Sequence, residues 1–243
     1  MTRPLALLLL AAAAPQAAPI SIYDGSLNTN PQAQGWTYGT LSGGGSAVES
    51  VSGGATILTT TAPERAGVSI FSPITLDRTS GYQVTFDLQL DSESHSSNDR
   101  AGLSVIVLGT DHMGIELGFW TTVGSPVNEV WAQNVGFTHG EGAVFDTTQR
   151  TLYTLTVSGS SYDLTAGGTQ LITGALRDYS GFGLPYTLPD FIFVGDDTFS
   201  ADASTRFFAA TVDTPEPASL VLGGLALAGM VLRRSYRAIS AAR

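Results

Sequence analysis

Glu116 and Glu129 are the acids whose surroundings best suit paired carboxylate chemistry. Each lies in a run of alternating character, Gly114-Ile-Glu-Leu-Gly-Phe-Trp120 and Glu129-Val-Trp-Ala-Gln133. Hydrolysis of a glycosidic bond uses two carboxyl groups, about 5 Å or about 6.5–9.5 Å apart, one protonating the leaving oxygen and one attacking or activating water. The position two beyond Glu116 is Gly118 and four beyond is Trp120, so the first run offers no second acid on that side. Glu129 is then the weak candidate for a cross-strand partner.

The same runs suggest a binding surface. In an extended chain Glu116, Gly118 and Trp120 share one side, and Glu129, Trp131 and Gln133 share another. If these sides lie together, two indoles meet carboxylates and an amide, a mixture that suits a sugar ring and its hydroxyls. The other reading makes Trp120 and Trp131 core residues. Hard cations need oxygen ligands, and Asp196, Asp197 and Asp202 form one acidic cluster, with Asp91, Glu93, Asn98 and Asp99 another. Neither has EF-hand spacing. They are weak candidates for a structural Ca²⁺, or else solvated loops; no other cofactor is expected. His95, His112 and His139 lie in separate turn regions. Asp111-His112 with Ser104 lacks the nucleophile elbow of a hydrolase triad. Gly43-Gly44-Gly45 and Gly53-Gly54 read as turns, since no lysine follows to make a phosphate loop.

Composition narrows the classes. There is no cysteine, which excludes disulfides and thiolate metal sites. All 11 basic residues are arginines, against 21 acids, a net charge of −10. Nucleic-acid binding needs the opposite balance. From Pro19 to Asp213, 20 acids face 6 arginines, a balance of −14, whereas after Glu216 there are four arginines and no acid.

The elements that must position these residues are short strands. Tyr82, Val84, Phe86, Leu88 and Leu90 alternate with polar residues, as do Tyr153, Leu155 and Val157. This is the signature of half-buried strands. Leu103 to Leu108 is nearly all apolar, as a strand covered on both faces would be. Ile115, Leu117 and Phe119 form one face of another strand. Further candidates are Ser21–Asp24, Trp36–Thr40, Ala55–Thr60, Val68–Ser72, Val130–Gln133, Thr169–Ile172, Phe191–Gly195 and Phe207–Val212. About a dozen short strands predict an all-β sandwich or barrel.

The ends carry addresses. Arg3, then the ten apolar residues Leu5 to Ala14, then small residues, predict a signal peptide over residues 1–18. At the other end Pro215-Glu216-Pro217 precedes the uncharged residues 218–232, then Arg233-Arg234. As a helix, residues 218–232 would reach about 22 Å at 1.5 Å per residue, short of a roughly 30 Å hydrocarbon core. Arg233, Arg234 and Arg237 predict that residues 238–243 lie on the cytoplasmic side of an inner membrane. This tail, over residues 214–237, resembles the PEP-CTERM protein-sorting tail of Gram-negative bacteria, also called an ice-binding-protein C-terminal domain. The resemblance implies that Pro215, Glu216 and Pro217, with Arg233 and Arg234, form the sorting signal. It implies an exosortase and the secretion machinery as partners, cleavage near the motif, and a surface protein of bacteria that make exopolysaccharide and biofilm.

The body, residues 19–213, is similar to the concanavalin-A-like jelly roll and to a "choice-of-anchor" surface domain. The runs carrying the resemblance are Arg100–Leu108, Gly114–Trp120, Glu129–Gln133, Tyr153–Val157, Leu171–Tyr179 and Phe193–Thr198. Jelly rolls of this kind occur in lectins, laminin-G-type modules and some glycoside hydrolases. Laminarinase-type members place their acids at alternate positions of one strand, a pattern Glu116 begins and Gly118 breaks. The expectation is an exported, non-enzymatic surface or matrix protein that binds or organises extracellular polysaccharide and no nucleic acid. The alternative is a jelly-roll glycoside hydrolase or lyase.

Overall fold

The structure is a computed structural model and describes residues 18–121 and 127–214. Residues 1–17 of the signal peptide expected over 1–18, the expected span at 218–232, the expected cytoplasmic end at 238–243, and Pro215, Glu216, Pro217, Arg233 and Arg234 lie outside the described residues. Among the described residues no helix is long and apolar enough to cross a membrane.

Pro19–Thr214 forms one compact unit. Its strands are β1 (Ile20–Asp24), β2 (Thr37–Ser42), β3 (Ser46–Ser52), β4 (Ala55–Thr61), β5 (Glu64–Phe71), β6 (Tyr82–His95), β7 (Leu103–Leu108), β8 (Met113–Trp120), β9 (Glu129–Gln133), β10 (His139–Val144), β11 (Thr151–Ser158), β12 (Ser161–Ala166), β13 (Thr169–Ala175), β14 (Arg177–Asp178), β15 (Phe191–Asp196) and β16 (Ala201–Asp213). They form two antiparallel sheets. Sheet one runs β13-β12-β11-β6-β16-β4-β3, with β1 also on β16. Sheet two runs β10-β9-β8-β7-β15-β5-β2, with β14 also on β8.

Alternation drives the packing. The apolar side of β6, from Tyr82 to Leu90, faces the interior together with Tyr153, Leu155 and Val157 of β11. Across from them stand Leu103, Val105 and Val107 of β7, Ile115, Leu117 and Phe119 of β8, and Ile192 and Val194 of β15. Phe119 meets Tyr153 edge to face, ring centroids 5.2 Å apart. A strand set with period two can bury one face this way and leave the other wet.

Sheet two is covered on its outer face as well, over β7 to β9. Ile106 and Leu108 pack there with Tyr179, Tyr186 and Phe191. Trp120, Trp131 and Ala101 make a second outer cluster. This double burial is why Leu103 to Leu108 lacks alternation. Tight glycine turns connect the hairpins. Gly53 and Gly54 have φ of 61° and 77°, and Gly167 and Gly168 have 54° and 82°. Two-residue hairpin loops with positive φ at both positions match the twist of the strands they join.

Candidate functional site

The outer face of sheet two is built on one row of cross-strand neighbours: Gly142, Trp131, Gly118, Ser104, Gly195, Gly67 and Gly39, one from each successive strand β10 to β2. The row divides the face in two. On the β8–β10 side the Trp131 indole lies over Gly118, where an added Cβ would stand 2.6 Å from a ring carbon. On the β2–β5 side the Phe193 ring lies over Gly67, 2.5 Å from the point an added Cβ would reach, whereas at Gly39 nothing lies within 4 Å of that point. A groove of about 660 Å³ results, lined by β2, β5 and β15 on one side and by Tyr186 and its flanking loop on the other.

The filled half contains the tryptophans. Glu116, Gly118 and Trp120 do share a side with Trp131 and Gln133, and the two indoles stand 5.3 Å apart. Each is capped by a histidine: His95 stacks on Trp120 at 4.5 Å, and His139 on Trp131 at 4.4 Å. Trp120 is 6% exposed and Trp131 fully buried, so neither offers a ring face to a ligand. Gln133 is buried too, its amide donating to the carbonyls of Asp99 and Thr138.

Glu116 and Glu129 do not come together. The register sets Glu129 against Trp120 and Trp131 against Gly118, so Glu129 lies at the far end of the β8–β9 ladder from Glu116. Glu129 pairs instead with His139 at 3.4 Å. The acid that does meet Glu116 is Asp197. The Tyr186 hydroxyl donates to Glu116 Oε2 at 2.6 Å and lies 3.3 Å from Asp197 Oδ2. Arg100 Nη2 donates to Asp197 at 2.8 Å, and its Nη1 lies 3.5 Å from Glu116 Oε1. The Ser104 hydroxyl completes Asp197, at 2.9 Å.

Burial, and then the negative charge of Asp197, hold the Glu116 carboxyl well above the ordinary range. Burial opposes the charge on Arg100, but Asp197 and Glu116 outweigh it and strengthen its hold on the proton. Burial also pushes Tyr186 up, helped by both carboxylates. The cluster is therefore a proton-holding acid beside a neutralised ion pair, at one wall of the groove.

Asp196 and Asp197 point to opposite faces of sheet two. Asp196 turns into the sandwich, where it accepts from Thr60 Oγ1 at 2.8 Å and from the Thr198 amide. Burial lifts it to about 8. Asp202 lies on β16 in sheet one, opposite Ser94. In the other acidic cluster, Asp91 pairs with Arg206, Glu93 with His95, and Asp99 accepts from the His139 amide. Among the described residues no three His, Asp or Glu side chains converge as a metal-holding group. Arg100, Ser104 and Tyr186 carry no motif that would have marked them in the sequence. Tyr186 reaches Glu116 from a loop 70 residues away.

Comparison with known proteins separates the two parts of the chain. Residues 213–235 match the PEP-CTERM protein-sorting motif. No curated protein matches the chain. Among solved structures, the chain is similar to a conserved carbohydrate esterase of the Shiga toxin-encoding bacteriophage phi24B, at 12% identity and a TM-score of 0.57, over 82% of this chain and 100% of that one. It is similar to a lectin from Bauhinia forficata solved with GalNAc, at 10% identity and a TM-score of 0.50, over 81% and 98%. A protein of unknown function with a galectin-like fold from Bacillus subtilis matches at 13% identity and a TM-score of 0.49, over 83% and 99%. The likeness to the first two, with the two antiparallel sheets described above, establishes the fold, a lectin-like jelly-roll sandwich, and the fold does not settle the work done on it.

Proposed function

We propose that this is an exported surface protein, handled by an exosortase in a Gram-negative bacterium, whose sandwich binds extracellular polysaccharide without cleaving it. The open half of the outer face of sheet two carries the reading. A groove floored by Gly39, with the partly exposed rings of Phe193 and Phe182 in its walls and Arg100 and Asp197 at its edge, offers ring surface and polar groups together. Sites for small ligands are concave and mostly apolar with a few fixed polar groups. The sorting motif at 213–235 supports export and retention at the membrane or cell surface.

Binding rather than hydrolysis fits the acids. Glu116 and Asp197 are both engaged by the Tyr186 hydroxyl and the Arg100 guanidinium, and Glu116 is 1% exposed, so neither is placed as a free carboxyl across a bound glycosidic bond. Ser104 donates to Asp197, whereas His95 and His139 are stacked on the tryptophans, so no serine–histidine pair forms among them.

The test is affinity electrophoresis of the full chain, held in mild detergent, through gels containing a panel of bacterial polysaccharides. Gly39→Trp projects a large side chain into the groove from a position where an added Cβ meets nothing within 4 Å. The variant is expected to keep its thermal midpoint and lose retardation at least tenfold. Equal retardation of Gly39→Trp rejects the groove, and release of reducing ends from the polymer rejects the non-enzymatic reading. A chelator is expected to leave binding unchanged, because Asp196 and Asp197 face opposite sides of the sheet.

A further inference from the structure

Six arginines serve the acidic body, and five of them are paired. Arg78 meets Asp111, Arg100 meets Asp197 and Glu116, Arg150 meets Asp87, Arg177 meets Glu141, and Arg206 meets Asp91. Arg65 is the sixth. Among the described residues its side chain has no ion pair, and its Nε is buried without a hydrogen-bond partner. Its guanidinium carbon lies 3.9 Å above the centre of the Phe199 ring. It stands on β5 opposite Leu41 of β2, and it lines the groove.

We infer that the groove takes a sugar bearing an oxyanion, a carboxylate or a sulfate, and that Arg65 is the group that binds it. The inference rests on the binding role proposed for the groove and adds the chemistry of what it selects. Three observations carry it. An unpaired cation is out of place in a body where 20 acids face 6 arginines, since the local surplus of carboxylate would ordinarily occupy it. The two acids that line the groove are already engaged, Asp197 by Arg100, Ser104 and Tyr186, and Asp196 by Thr60 and the Thr198 amide. The Nε is buried, whereas the two terminal nitrogens are not among the buried atoms and have no hydrogen-bond partner among the described residues, so they are the donors left to meet two oxygens of a carboxylate or sulfate at once. Phe199 beneath the guanidinium keeps it flat without discharging it.

The charge arithmetic is local. Arg100 and Asp197 cancel, Asp196 holds its proton inside the sandwich, and Arg65 is left as the groove's free positive charge. The surrounding negative charge repels anionic polymer in general. Recognition therefore depends on one well-placed contact rather than on a basic surface, and it responds weakly to salt compared with a polycationic binder.

The experiment measures retardation of the full chain, in mild detergent, by polygalacturonate, by alginate, by dextran sulfate, and by the carboxyl-reduced neutral forms of the first two. Strong retardation by the uronates with loss on carboxyl reduction assigns the carboxylate, and retardation by dextran sulfate assigns the sulfate. Arg65→Gln is expected to weaken binding to the acidic polymer roughly tenfold to hundredfold, the effect of losing a charge-assisted hydrogen bond, with an unchanged thermal midpoint. Arg65→Lys, which keeps the charge and loses the fork, is expected to fall between. Equal retardation by acidic and neutral forms, or native retardation of Arg65→Gln, overturns the inference and leaves groove binding standing. If no polymer retards the native chain, while the protein remains folded, both readings fall.

Discussion

Buried carboxyls set how this protein responds to pH. Glu93 is 1% exposed and burial lifts it to about 8; Asp196 is lifted to about 8 in the same way; Glu116 is also raised. In an unfolded chain such groups titrate near 4. Between those limits the folded form keeps protons that the unfolded form releases, so stability falls as pH rises from about 5 to about 8. Asp77, Asp178 and Glu141 are lowered by hydrogen bonds and act the other way only in stronger acid; His95, beside Glu93, is lowered by burial and opposes the trend up to about pH 6.5, one group against three. The thermal midpoint is expected to be higher at pH 5 than at pH 8. Glu93→Gln keeps an acceptor for the Gly102 amide and removes one titration, so it should lose less on the same change. A native midpoint that climbs between pH 5 and 8 contradicts the argument. None of this was visible from residue types alone. Glu116 stood out as an acid in a strand, but its partner came from a strand on the other side of β7, and Tyr186 came from a loop with no pattern at all. Arg65 looks like any other arginine until its neighbours are known.

At the level of strands, alternation was informative wherever side chains were large. Tyr82 to Leu90, Tyr153 to Val157 and Ile115 to Phe119 appear on the faces their spacing predicts. The strands that escaped notice were β3, β10, β12 and the two-residue β14. Ser46–Ser52 is a small-residue strand at the edge of sheet one, half exposed throughout, and His139–Val144 contains two glycines at the edge of sheet two. Edge strands bury little, so their sequences carry little hydrophobic signal. Ser161–Ala166 alternates, but for only three apolar positions between glycine turns. The row of glycines across sheet two was equally invisible, because its members are scattered from residue 39 to residue 195 and meet only through pairing. Gly118 shows what that row does. Gly118→Ala places a methyl group against the Trp131 ring, itself pinned by His139. Overpacking of this kind costs about 1–3 kcal/mol. The urea midpoint should fall with the slope of the transition unchanged; a native-like midpoint would mean that the indole layer yields freely.

For the whole chain, two parts with different jobs sit in series. The sandwich is strongly acidic, and the tail after Glu216 is basic. Residues 213–235, which match the PEP-CTERM protein-sorting motif, include two of the four arginines that follow Glu216. Cells with and without an exosortase should therefore distribute the protein differently. With the enzyme, a shortened form is expected at the surface or in the matrix; without it, the longer form is expected in the membrane fraction. Glu216→Ala should behave like loss of the enzyme. Identical fractions in all three strains would reject the sorting role.

The chain has three tryptophans, Trp36, Trp120 and Trp131, and all are interior. Their fluorescence should be blue and poorly quenched by acrylamide while the sandwich is intact. It should redden sharply on denaturation. An occupant of the groove, by contrast, would touch tyrosine and phenylalanine but no indole, leaving the emission almost unmoved. The protein thus carries an optical gauge of its own integrity that is nearly blind to its cargo, and a titration followed by tryptophan light would report silence even at saturation.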